Sequence, residues 1–221
     1  MSEPEPETKT TTKSKVVMIC IIGNSFSPHF LKCWTEFLGY CLSHNIRPML
    51  SNIIENGSFV DKNNCFLCNS ENSEMQTPFQ GKLEYDYILY LSSKCVFPAN
   101  VLDRLIEINE PIVAPYSMKP GNMNQVNFVE TIDFNSDQEC DYVLRDTVES
   151  YNKEGVEYIK VDYVDTQLML LKKGVLEKIE YPWFGGNSSG ETFFFRKCKE
   201  KNIPLFIDLK NRLMLETKII L

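Results

Sequence analysis

Positive charge is in short supply: 23 Lys and Arg stand against 30 Asp and Glu, a formal charge of −7. No global positive field exists to attract nucleic acid or an anionic membrane, so a nucleic-acid partner is not expected. Histidine is scarcer still. His29 and His44 stand alone, and the eight cysteines are irregularly spaced, several inside apolar segments where a free thiol behaves as a small hydrophobe. The one Cys-x-x-Cys, Cys65 to Cys68, lacks the second pair or the histidines that a structural zinc needs, so no cofactor is expected. No stretch approaches the roughly 18 uninterrupted apolar residues of a spanning helix. The chain opens on Ser2-Glu3-Pro4-Glu5-Pro6-Glu7 rather than on a basic start and an apolar block. The expectation is a cytoplasmic protein with no membrane insertion. What is present, 43% hydrophobic, 12% aromatic and 24% charged residues in 221, is the profile of a globular domain with a sizeable core.

Residues 1–14 have almost no apolar side chain to offset the entropy of ordering and read as a disordered polar tail, with one domain over 15–221. Val16 to Ile22 is a continuous β-favouring run that leaves through Gly23-Asn24-Ser25, the pattern of a strand buried on both faces. A helix follows: Phe30, Leu31, Trp34, Phe37, Leu38, Cys41 and Leu42 recur at helical spacing behind Ser27-Pro28 as cap and first residue. Pro48 to Ser51 reads as a second strand, 60–67 as a weak second helix, and Tyr85 to Leu91 as a strand stopping at Ser92-Ser93-Lys94. Then come a helix over 98–108 and a strand over 111–116. Residues 119–160 alternate short β-like pieces with turns, like an insertion. Strand 166–171, helix 173–179, helix 192–201 and strand 204–208 complete the chain. This βαβ alternation predicts an α/β fold with a mostly parallel central sheet and helices on both faces.

Three segments together resemble the A-type nucleotide-sugar glycosyltransferases (the GT-A fold), in particular a small single-domain group found in large DNA viruses and bacteria. They are Gly23 to Ser27 ahead of Phe30 to Trp34, Gly81 to Leu89, and above all Leu170 to Phe184, where a lysine-glycine turn, an amphipathic helix and Tyr-Pro-Trp-Phe follow in order. The resemblance spans most of residues 16–221. It implies a nucleotide-diphosphate sugar as donor, a glycan as acceptor and, if the chain is viral, the host cytoplasm as location.

In that family an Asp-x-Asp motif after the strand holds a divalent cation that neutralises the leaving diphosphate. Here those positions read Ser92-Ser93-Lys94, a degenerate motif with an ammonium where a carboxylate would chelate. The family's Glu-Asp pair, often the catalytic base, is Glu191-Thr192; its C-terminal metal-binding histidine falls at Leu215. The glycine-rich turn before the later strand is Asp165-Thr166-Gln167, and the Ala-Arg-Asn-like segment is Lys62-Asn63-Asn64. No metal ligands are expected. Lys94 either faces the diphosphate in place of the cation or is a solvated strand-end residue. Glu191 is either a general base or a carboxylate suited to a helix N-terminus. Trp183 and Phe184 either offer a platform to a sugar, beside the acceptor, or pack in the core, and packing is preferred because they persist where the metal ligands do not. Gly23, Asn24 and Ser25 would touch the nucleotide, and Ser92 the diphosphate. The function implied is a metal-independent sugar transferase or an inactive relative, a pseudoenzyme; the alternative is a non-catalytic structural or partner-binding domain.

Overall fold

A computed structural model of the chain describes residues 14–23, 25–54, 62–63, 77–134, 141–185 and 190–215. After the exposed Lys15, strand β1 (Lys15–Ile22) is apolar because both its faces are covered: Val17, Ile19 and Ile21 enter one core layer, Met18 and Cys20 the other. Helix α1 (Pro28–Ser43) starts where Ser27 Oγ accepts the Phe30 N–H at 3.0 Å, with Pro28 in the first turn. It turns Phe30, Phe37 and Cys41 inward. Strand β2 (Ile46–Ile54) is longer than expected, since it runs parallel to β1 along the full length of that strand.

Strands β3 (Tyr87–Ser92) and β4 (Cys95–Val96) precede helix α2 (Val101–Ile108). That helix begins after Pro98, whose carbonyl accepts the Val101 N–H at 3.1 Å in a turn. Strand β5 (Ile112–Lys119) is followed by β6 (Asn122–Val126), β7 (Phe128–Val129), helix α3 (Arg145–Lys153), β8 (Tyr158–Val161) and β9 (Tyr163–Val164). This segment is stitched to the sheet rather than appended to it, β6 pairing with β5 and β8 with the last strand. Helix α3 is invisible in the sequence because it turns in a single buried apolar residue, Val148. Within this region of short β-like pieces, residues 142–144 contribute only one isolated bridge, Gln125 to Leu144. Strand β10 (Leu168–Lys172), helices α4 (Val175–Ile179) and α5 (Gly190–Glu200) and strand β11 (Leu205–Leu215) complete the order.

The main sheet reads β2-β1-β3-β10-β5-β11-β4. Strands β2, β1 and β3 are mutually parallel, β10 is antiparallel to both β3 and β5, and β11 is parallel to β5. The sheet is therefore mostly parallel, with β10 inverted at its centre. Helices α1 and α2 cover one face through Phe30, Phe37, Val101, Leu102 and Leu105. Helices α4 and α5 cover the other through Leu176, Ile179, Phe194 and Phe195. This is the α/β architecture that the GT-A resemblance implies. Strand β11 outruns the expected 204–208 because a bulge after Asp208, which accepts from Lys210 N and Asn211 Nδ2, lets it resume alongside Tyr116, Ser117 and β4. Among the described residues no helix is long and apolar enough to cross a membrane. The proposed tail lies outside the described residues except for Ser14, as does all of the expected second helix except the helical pair Lys62 and Asn63.

Candidate functional site

Open α/β sheets place their ligand crevices beyond the carboxyl ends of the parallel strands, so the chemistry is sought at the exits of β1 and β3. There the backbone converges. The Ser93 N–H donates to Ile22 O at 2.9 Å, and the Ser92 N–H donates to Gln167 O at 2.7 Å, just ahead of the inverted β10. Gly23 is needed at this point: its φ is +148°, and a Cβ built there would lie 1.8 Å from Ser93 Oγ. The chain then turns through exposed Lys94 into β4, which pairs Cys95 with Leu215. Cys95 Sγ also donates to Gln167 O at 3.2 Å.

Gly23, Ser92 and Lys94 are thus brought together. Leu215 stands opposite the residue after Lys94, so the two positions expected to correspond to metal ligands are spatial neighbours. Two serine hydroxyls, an ammonium and a leucine do not fit a divalent cation, which takes several anionic or carbonyl oxygens. Among the described residues no group of three or more His, Cys, Asp or Glu is placed to hold one. Ser25 is exposed on the loop before α1, and Asn24 lies outside the described residues.

Glu191 is in the first turn of α5. It precedes Phe194 and Phe195 by three and four residues, hence shares the helix face that these two rings bury against the sheet. Its carboxylate is ion-paired with Lys62, whose side chain is only 7% exposed. The Lys62 ammonium lies 6.0 Å from the Tyr90 ring centre and 5.8 Å from that of Phe184. Next to it, Asn63 clamps the chain after α4: its Oδ1 accepts from Trp183 N at 2.9 Å and Phe184 N at 3.0 Å, and its Nδ2 donates to Phe184 O at 2.7 Å.

Of the two readings of Trp183 and Phe184, that clamp supports core packing over a sugar platform. They are 0% and 2% exposed. Trp183 Nε1 donates to Leu176 O at 2.9 Å, and Phe184 stacks on Phe194 at 5.2 Å, so neither ring has a face open to a ligand.

The structure adds a polar cluster that the sequence did not announce. Asp165 Oδ1 accepts hydrogen bonds from Tyr142 Oη and Tyr163 Oη, both at 2.9 Å. Lys119 Nζ sits 3.4 Å over the Tyr142 ring, and Tyr163 meets Phe195 of α5 edge-on at 5.6 Å. Burial raises the Asp165 carboxyl above its ordinary value, against the two tyrosine hydroxyls and Lys119, and nearby Glu191 adds to the rise. Burial and the adjoining Asp165 also push the Tyr163 hydroxyl far up. The available signal was Asp165 itself, an acidic residue in the turn where the resemblance implies glycine.

No family model matches the chain, and no curated protein does. Solved structures do. The crystal structure of A197 from STIV is 12% identical with a TM-score of 0.50 over 94% of this chain and 96% of that one. The two share the fold. GalNAc-T7, solved with UDP, GalNAc and Mn2+, is 11% identical with a TM-score of 0.49 over 94% of this chain, which spans 44% of that protein. The inositol-1-phosphate CTP transferase from T. maritima is 11% identical with a TM-score of 0.40, over 89% of this chain and 86% of that one.

Proposed function

We propose that the protein is a glycosyltransferase-like binder of nucleotide-diphosphate sugars that works without a divalent cation. The observation that carries the reading is the β3 exit, where Lys94 is exposed in the turn between Ser92 and Cys95 and where, among the described residues, no carboxylate ligand set stands. The degenerate Asp-x-Asp leaves a fixed positive charge to meet the diphosphate directly, as a point charge rather than a chelated ion. Ser92 and the Gly23 backbone flank it. A glycan hydroxyl is the acceptor where transfer occurs.

Calorimetric titration of UDP, GDP and dTDP into the protein in EDTA tests this. Lys94→Ala is expected to weaken binding about tenfold, the worth of one charge-assisted contact. Equal heats for the two proteins, or binding that requires Mn²⁺, would refute it. A second reading, a non-catalytic partner-binding domain, draws support from the Lys62–Glu191 pair, which engages the carboxylate expected to act as base. Absence of binding by all three nucleotides would favour that reading.

A further inference from the structure

Glu191 is paired with the buried Lys62 ammonium, whereas Asp165 has no ion-pair partner among the described residues and is oriented by two tyrosine hydroxyls instead. Its backbone is pinned by Asn127: the Asp165 N–H donates to Asn127 O at 2.7 Å, and Asn127 Nδ2 donates to Asp165 O at 3.1 Å. Asn127 is itself 1% exposed and fixed through its Oδ1, which accepts the Ser117 N–H at 2.7 Å. The Asp165 side chain is then braced on one oxygen only, Oδ1 taking both tyrosine hydroxyls. No donor among the described residues reaches Oδ2. Two residues on, Gln167 O receives Ser92 N, so the Asp165 backbone lies two residues from the sheet edge that carries Lys94.

From this geometry we propose that Asp165, and not Glu191, is the carboxylate that accepts the proton of the attacking hydroxyl. The inference rests on the donor-binding reading above. A sugar or water O–H gives its proton to Asp165 Oδ2, and the oxygen forms the new bond to the anomeric carbon. The bond from that carbon to the diphosphate oxygen breaks, and its electron pair leaves on the diphosphate, whose charge Lys94 meets. Desolvation makes this carboxylate a stronger base than a solvated one, and the two tyrosine hydroxyls that orient it offset part of that gain. Glu191, tied to a buried ammonium, serves to position Lys62 and α5.

The test uses the full chain in EDTA, with UDP-glucose, GDP-mannose and dTDP-glucose as donors, water as acceptor and release of the nucleotide diphosphate as readout. For a donor that binds, Asp165→Asn is expected to lower kcat at least 100-fold with KM within about twofold, in line with the worth of a general base. Glu191→Gln is expected to change kcat less than about threefold. Sodium formate should restore part of the turnover of Asp165→Ala, a rescue that a purely structural role would not give. Loss in Glu191→Gln with Asp165→Asn unaffected, or equal losses in both, would overturn the assignment. Donor binding with no turnover by the native protein would overturn it while leaving the binding reading intact. Absence of binding by every donor would remove the reading on which it rests.

Discussion

Replacing Lys62 by Met probes the contact that joins residues 62–63 to α5. Met is unbranched and of similar length, so it keeps the packing against Tyr90 and Phe184 while removing the charge. The Glu191 carboxylate is then left without its partner beside a second carboxylate, Asp165, whose proton affinity it already raises. Breaking a buried pair costs about 3–5 kcal/mol. The lower end applies here because the Glu191 side chain is 21% exposed and water partly compensates it. A loss of about 3 kcal/mol in a chain of this size lowers Tm by about 6–12 °C. Glu191→Gln alone, which strands the more deeply buried ammonium, should cost at least as much, and the double variant should recover most of the loss because neither charge remains. Urea denaturation of the four proteins, analysed as a double-mutant cycle, gives the coupling directly. The coupling should survive 1 M salt, which screens exposed pairs but not buried ones. Additive losses, a loss below about 1 kcal/mol, or a coupling that disappears in salt would refute the assignment of a buried pair.

Gly23→Ala should destabilise by about 1–3 kcal/mol, since the new methyl overlaps Ser93 at the β3 exit; Ser93→Gly in the same chain should recover part of the loss in urea melts. Asp165→Asn should grow more stable relative to the native protein as pH rises. The folded state holds the Asp165 proton above the ordinary pKa, so the native protein is favoured by protonation there and loses that stability as pH climbs from the unfolded value through the folded one. Chemical melts of both proteins between pH 4 and pH 8 would show the difference, and a flat or inverted trend would refute the raised carboxyl.

The order of strands and helices was legible wherever burial is continuous or periodic. Val16 to Ile22 could only be a strand covered on both faces, and the Ser27-Pro28 start of α1 carries its own cap chemistry. The resemblance located Ser92 and Lys94 at a strand exit and set Leu215 in correspondence with a metal ligand. Their proximity is a matter of register, since Leu215 reaches that edge only because β11 continues past its bulge to pair with Cys95. Side-chain roles were less legible. Trp183 and Phe184 carry the same letters whether they face a sugar or the core, and the clamp from Asn63, 120 residues away along the chain, decided for the core.

Lys62 lies 129 residues from Glu191, and although Tyr163 is two residues from Asp165, no local pattern pairs a lysine with one carboxylate or brings Tyr142 to the other. Periodicity fixed the α/β class, because it depends on each residue's own polarity and that of its near neighbours, and the resemblance marked Ser92-Ser93-Lys94 as the stretch where acidic ligands would stand. Which carboxylate is paired with an ammonium and which is braced by tyrosine hydroxyls depends on what distant segments bring within hydrogen-bond reach, and only the tertiary structure decided that.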